Sequence, residues 1–228
     1  MFELYPQRAV RINLLVSLAT LAVSGVARFA FTEAASVTHF TTEIAAMLAG
    51  GIVAAWIGAG ALARIPRGRI VGIMAALLVA IAVLLVLETV FAGSTAMALP
   101  ESQMPRLPVA LGAGLIVGAV SSLLGVAGGE LIIPILIFVF GADIKTAGTA
   151  SILISIPIVL AGIARHVLTG HFRSRSMLGY LVLPMSVGSV LGALAGGYLA
   201  AWAPTDGLRI VLAAILALSA VKLMWLKA

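Results

Sequence analysis

The residues of this chain that could do chemistry are concentrated around one interruption of a long hydrophobic run. Two serines, three glycines and one acid follow each other there: Ser121, Ser122, Gly125, Gly128, Gly129 and Glu130. Each glycine costs a helix about 1 kcal/mol relative to alanine, so the spacing predicts a helix that stops near Gly125 and a new one that begins near Gly129–Leu131. A helix N-terminus offers free backbone N–H groups and a partial positive charge, which together suit an anion.

The role of this interruption depends on whether it lies inside the membrane or at its surface. Non-helical backbone inside a bilayer survives only where it is buried in protein or lines a cavity, and interrupted helices mark the binding sites of many transporters. The next segment, 130–141, would make about 18 Å of helix, which is too short to cross a bilayer alone. This shortness favours a break within the membrane, and the alternative is a tight cytoplasmic turn between two spans.

Small residues before the break predict a close helix contact. Gly114, Gly118 and Ser122 recur every four residues and therefore lie on one helix face. Small side chains allow another helix backbone to approach closely in lipid, where packing drives association.

Glu130 is the one carboxylate at the predicted break. An ionisable group within a transmembrane region is costly and functional by default, which makes Glu130 a candidate carrier of a coupling proton. It is also an acid in the first turn of a helix, where it would satisfy free N–H groups. Both roles stay open, and neither includes direct contact with an anion, which a fixed carboxylate would repel.

Polar residues on two further helices could complete a site. Asn13 and Ser17 are four residues apart, as are Ser151 and Ser155, so each pair shares a helix face. These side chains could line a polar path for the anion. Equally, they could hydrogen bond between helices, which is worth about 0.6 kcal/mol per bond in a membrane.

Arg28 and Arg165 occupy equivalent places in the two halves of the chain. A guanidinium fork matches the oxygens of a sulfonate or carboxylate, so Arg165 is a candidate substrate ligand. The alternative is a long basic side chain that reaches the lipid head groups. His166 could respond to pH near neutrality or could simply be solvated.

The composition shows which elements must carry these residues. Of the 228 residues, 62% are hydrophobic and 10% are charged, against about 45–50% and 25% in soluble domains. The net charge of +6 is spread thinly between apolar runs and is typical of a membrane orientation signal. Because a spanning helix satisfies its own backbone in lipid, we expect an all-α polytopic transmembrane helix bundle.

Hydrophobic runs predict about eight membrane segments, one of them short: 12–31, 44–63, 70–91, 107–125, 130–141, 147–168, 177–202 and 207–226. When 130–141 is counted as a crossing, the arginine-rich loops all fall on one side, opposite loops that carry Glu43 and Arg106. The positive-inside rule then places both termini in the cytoplasm. An alternative for the first run is the hydrophobic region of a signal peptide.

The two halves of the chain also align with each other. Three anchors recur at one constant offset: Gly50, Gly58 and Pro66 align with Gly188, Gly196 and Pro204. We therefore predict one transmembrane domain, 1–228, with three-helix units at 9–91 and 147–226 and a glycine-rich hairpin at 107–141 between them. The charge pattern starts the units on opposite sides, and such inverted repeats are common in secondary transporters.

The interruption and its surroundings resemble a known family. The similarity lies in Gly118-x-x-Ser121-Ser122-x-x-Gly125-x-x-Gly128-Gly129-Glu130-x-x-x-Pro134-x-Leu136, in Ala147-Gly148-Thr149-x-Ser151 and in Gly162-Ile-Ala-Arg165-His166. These motifs resemble the TauE/SafE-type permeases, which are sulfite and organosulfonate transporters. The resemblance implies an inner-membrane protein with inverted repeats that moves small sulfur-containing or carboxylate anions.

The first half departs from that family's pattern. The hairpin 107–141 has no counterpart before the first three-helix unit, into which the chain leads from Phe2. Either a hairpin is missing from the start or this is a shortened form, and a site built from two facing hairpins would then be half-formed.

We therefore expect a permease for a small anion, and the alternative is a non-transporting assembly factor or a degenerate paralogue. No nucleophile–base pattern, metal-ligand spacing or Walker motif is present, so neither enzyme activity nor a cofactor is expected. The expected partners are the lipid bilayer and the anion, with a proton or another cation as the coupling ion. A homo-oligomer is compatible with the sequence, and no nucleic acid partner is expected.

Overall fold

The computed structural model describes residues 6–31, 34–62, 103–142, 144–169 and 178–202, with isolated positions between 66 and 83. Six α-helices fill these ranges: α1 Pro6–Phe31, α2 Thr41–Leu62, α3 Gln103–Leu124, α4 Gly129–Phe138, α5 Ile144–Leu168 and α6 Leu183–Trp202. A 3-10 segment, Ala34–Phe40, leads into α2, and a π-helical segment, Leu178–Val182, leads into α6. The predicted spans 70–91 and 207–226 lie outside the described residues, apart from those isolated positions.

The described helices confirm the predicted all-α bundle. Four stretches are long and apolar enough to cross a membrane: Ala9–Val26, Val37–Ala61, Pro105–Leu124 and Thr146–Leu168. At 1.5 Å per residue α4 is only about 15 Å long, as expected for an interrupted segment.

The contact between α2 and α3 is the most extensive between any two described helices. Gly114 packs against the backbone of Met47, and Gly118 packs against the backbone of Gly51. A Cβ atom at either α3 glycine would collide with the facing carbonyl group. The structure thus confirms the close approach predicted from small residues on α3. It also shows that the two helices run parallel, because their residue numbers rise together along the contact.

α5 runs parallel to α2 and antiparallel to α1. Gly60 of α2 lies against the side chain of Arg165, near the end of α5. On the other side of α5, Gly25 of α1 contacts Ile152, and Gly162 contacts Leu14. α1 and α5 are the first helices of the two predicted repeat units, and their opposite directions are what an inverted repeat requires. The packing of α1 into the bundle favours an integral helix over a signal peptide.

α4 returns the chain along the bundle between α3 and α5. Its start lies near Val117, because Gly128 packs against that side chain. Beyond its end, the Phe140 carbonyl accepts a hydrogen bond from Arg106, near the beginning of α3. α4 is therefore antiparallel to α3, which is the direction that counting 130–141 as a crossing requires.

Apolar residues of α4 form the centre of the core. Ile132 and Leu136 are completely buried and belong to one cluster with Met47, Val117 and Ile154. Large apolar side chains are exposed on the outward faces of other helices: Ile52, Val53 and Ile57 on α2, Leu111, Leu115 and Ile116 on α3, and Val187, Leu191 and Leu194 on α6. This distribution fits a helix bundle whose outer surface is covered by lipid.

The substitution of glycine by alanine at two positions of α3 tests the close contact between α2 and α3. Gly118→Ala places a Cβ against the Gly51 backbone, whereas a Cβ at Gly112 meets nothing within 4 Å. We expect Gly118→Ala to destabilise the protein by about 1–3 kcal/mol through overpacking. Gly112→Ala should instead be neutral or stabilise it by up to about 1 kcal/mol through helix propensity. Thermal unfolding in detergent measures both, and equal midpoints would contradict the proposed packing.

Candidate functional site

The interruption between α3 and α4 has the predicted form. α3 ends at Leu124 and α4 begins at Gly129. Gly125 and Gly128 have φ angles of 72° and 79°, a left-handed conformation that glycine adopts without the steric cost borne by other residues. Two glycines thus let the chain reverse within four residues, and the predicted new helix at Gly129–Leu131 is confirmed.

Side chains of α1 and α3 hold this loop in place. Asn13 Nδ2 donates a hydrogen bond of 2.9 Å to the Gly125 carbonyl, and Ser121 Oγ donates one of 2.5 Å to the Val126 carbonyl. Gly125 also packs directly against the backbone of Val10. Carbonyl groups left over at the end of a helix need such partners when they are buried. Asn13 and Ser121 therefore support the break itself.

α4 begins inside the bundle. Gly128 is buried between Val117 and Ser121, which precede the end of α3 by three to seven residues, or about 5–10 Å of helix. A Cβ atom at Gly129 would lie 3.9 Å from Ser151 Oγ, on α5. The N-terminus of α4 thus lies beside residues within α3 and α5 and not beyond the ends of those helices.

Two buried hydroxyl groups lie on the face of α5 that meets this N-terminus. Ser151 is 5% exposed and donates a hydrogen bond to the Gly148 carbonyl within its own helix. Ser155, one turn further, is 1% exposed, and its hydroxyl has no hydrogen-bond partner among the described residues. A buried hydroxyl without a partner costs about 1–3 kcal/mol. The Ser155 hydroxyl is therefore a donor available to a bound molecule.

Several N–H groups in the first turn of α4 already have hydrogen-bond partners in the same segment. The N–H groups of Leu131 and Ile132 donate to the Gly128 carbonyl. The Glu130 carboxylate accepts a hydrogen bond from its own backbone N–H, and the residue is exposed. An anion at this N-terminus would have to compete with the Glu130 carboxylate for that N–H group.

Two predicted site residues lie apart from this group. Ser122 donates to the Ala119 carbonyl and packs against Gly58 of α2, so its contacts are those of the α2–α3 interface. Ser17 is half-buried on α1, one turn beyond Asn13.

Arg165 lies near the end of α5, against Gly60 of α2. Arg165 lies fourteen residues after Ser151 on α5, about 21 Å along the helix. Its guanidinium stands 5.3 Å from the ring centroid of Trp56, a cation–π distance. His166 is 3% exposed, so the expectation of a solvated histidine is wrong. The side chain of Arg28 lies outside the described part of the structure.

Sequence reasoning missed a buried ion pair at the other end of α4. Arg106 Nη1 lies 3.3 Å from Glu43 Oε1. Both were expected in loops, but α2 and α3 begin three to four residues earlier than predicted and include them. The signal was weak, since two isolated opposite charges at helix starts do not reveal that they pair.

The long apolar helices and the apolar outer surface define a multi-pass helical membrane protein. The family model of the sulfite exporter TauE/SafE matches residues 1–223 of the chain. The chain belongs to this family. Neither the curated proteins nor the solved structures contain a significant match.

Adjacent glycines test the conformation of the break. Gly128→Ala forces alanine into a left-handed conformation, which costs about 1–2 kcal/mol, and its Cβ would lie 2.8 Å from a Val117 methyl group. Gly129 is helical, and a Cβ there makes only the ordinary contact with Ser151. We expect Gly128→Ala to lower the unfolding midpoint in detergent and Gly129→Ala to leave it nearly unchanged. A destabilisation of equal size in both variants would contradict the loop geometry.

Proposed function

We propose that this protein is a secondary permease that carries a small anion, such as sulfite, an organosulfonate or a related carboxylate, across the inner membrane. The observation that carries the proposal is the unpartnered Ser155 hydroxyl, buried on the helix face against which α4 begins. Family membership supports the same anion class.

The start of α4 has the properties that a transient anion site needs. Its backbone N–H groups and helix dipole favour negative charge, and Ser151 and Ser155 place hydroxyl groups one turn apart beside it. Neutral donors stabilise an anion less than a close cation would, because charge-assisted hydrogen bonds are about twice as strong as neutral ones. Weak binding of this kind allows the anion to leave on the other side.

We further propose that Glu130 couples anion binding at this site to proton uptake. Its carboxylate holds the N–H group of Glu130 itself, and a proton on the carboxylate would both weaken that hydrogen bond and remove a negative charge near the anion. Anion binding and proton uptake would then favour each other, which is the requirement for coupled transport. The proposed orientation has both termini in the cytoplasm, in accordance with the arginine-rich loops.

The direct test is anion flux into proteoliposomes that contain the purified full-length protein. We expect sulfite uptake above that of protein-free liposomes and competition by methanesulfonate. A protein that inserts and folds but carries no anion would contradict the permease function. Copurification with a specific membrane partner would then favour the assembly-factor alternative.

Ser155→Ala separates binding from stability. Removing an unpartnered buried hydroxyl should leave the unfolding midpoint unchanged or raise it. The apparent KM for sulfite should rise about tenfold, as expected when one hydrogen bond to a charged ligand is lost. Thr20→Val is a matched control, because the Thr20 hydroxyl bonds only to the Val16 carbonyl of its own helix. An unchanged KM in Ser155→Ala would exclude this hydroxyl from the site.

Glu130→Gln tests proton coupling. Glutamine is close in shape to the protonated acid but cannot titrate, so we expect sulfite flux that varies much less with pH than in the wild type. The measurement is initial flux across a pH series at constant sulfite gradient. A pH profile identical to that of the wild type would restrict Glu130 to stabilising the start of α4.

A further inference from the structure

One buried guanidinium connects α2, α3 and the end of α4, at the end of the bundle where α2 and α3 begin. Arg106 of α3 lies 3.3 Å from the carboxylate of Glu43 in α2. Its Nη2 also donates a 2.7 Å hydrogen bond to the carbonyl of Phe140, two residues after α4. Arg106 and Glu43 are 8% and 6% exposed. The far end of α4 is therefore fixed to two other helices through one side chain.

Glu43 satisfies this guanidinium incompletely. Its distance of 3.3 Å is longer than the 2.7–2.9 Å typical of a charge-assisted hydrogen bond. Arg106 Nε is buried and has no hydrogen-bond partner in the part of the chain that the structure describes. Arginine carries five N–H donors in a planar fork, so an acceptor with several oxygens would match it better than the single close oxygen of Glu43.

Aromatic rings strengthen any charge interaction at this position. The guanidinium carbon of Arg106 lies 6.0 Å from the ring centroid of Phe40 and 5.6 Å from that of Phe140. Both distances are within cation–π range. Arg106 and Glu43 are also buried, and electrostatic attraction is stronger where the local dielectric is low.

The guanidinium and the break lie at opposite ends of α4. Arg106 precedes Ser121 by fifteen residues on α3, which is about 22 Å of helix. An anion that moves along α4 would meet the N–H groups and serines at one end and Arg106 at the other.

We propose that Arg106 is a second anion-binding site, which Glu43 occupies until a small oxoanion displaces it. The ligand class is an anion with two or three oxygens on one centre, such as sulfite or a sulfonate. Because Arg106 also holds the Phe140 carbonyl, this exchange changes the attachment of α4 at the same time. The inference rests on the proposed function, from which it takes its ligand.

The double variant Glu43→Gln/Arg106→Gln distinguishes this site from a purely structural ion pair. It removes both charges together, so no unpaired charge stays buried. If the ion pair is purely structural, the double variant should have the stability and the sulfite flux of the wild type. We expect it to fold with a near-wild-type unfolding midpoint but to carry sulfite at least about tenfold more slowly at low concentration, since charge-assisted hydrogen bonds to the anion are lost. Wild-type flux in this variant would overturn the proposal.

Glu43→Gln alone provides a second, independent readout. It keeps the Arg106 cation and removes the carboxylate that competes with the anion for it. In the absence of anion, the variant should therefore be less stable than the wild type. Millimolar sulfite should raise its unfolding midpoint more than that of the wild type, and more than chloride at equal ionic strength. Equal effects of sulfite and chloride would overturn the proposal, even if the double variant does not fold. Absence of flux in the wild type would instead refute the permease function.

Discussion

The requirement that buried backbone polar groups find partners controls this structure. A helix that stops inside a bundle leaves carbonyl groups at its end and N–H groups at the start of the next helix. The carbonyls of Gly125 and Val126 are satisfied by Asn13 and Ser121. At the start of α4, the N–H groups of Leu131 and Ile132 donate to the Gly128 carbonyl, and that of Glu130 donates to its own carboxylate. Side chains of other helices thus satisfy the carbonyl side of the break, whereas the N–H side, where we propose the anion site, is satisfied only by its own segment.

Close packing of α2, α3 and α5 provides the rigid frame for that asymmetry. The glycines of α2 and α3 bring two backbones into contact, and such packing replaces the hydrophobic effect as the source of association in lipid. α4 is shorter, its buried Ile132 and Leu136 pack in the core, and polar attachments lie at its two ends, in the glycine loop and at Arg106.

The sequence was informative wherever a local rule applied. Glycine spacing predicted the break and the start of α4, and the small-residue stripe predicted the close contact of α3, since both depend on backbone sterics within a few residues. Charge counting favoured 130–141 as a crossing, and α4 has the antiparallel direction that this requires. The helix starts were placed late, because Glu43 and Arg106 are polar residues inside helices whose charges are neutralised by a partner about sixty residues away. Pairing over such a separation has no local signal.

The candidate site shows the same division between local and non-local information. Ser121, Gly125, Gly128 and Gly129 are close in sequence and are found together. Asn13 and Ser151, which were named as polar residues that could complete a site, lie next to them from other helices. Arg165 was predicted as a ligand from the chemistry of its guanidinium, and its printed contacts are with Gly60 and Trp56 of α2. In this bundle the arginine that holds α4 is the one near the start of α3, and nothing in the sequence near Arg106 indicates that its partner is the Phe140 carbonyl.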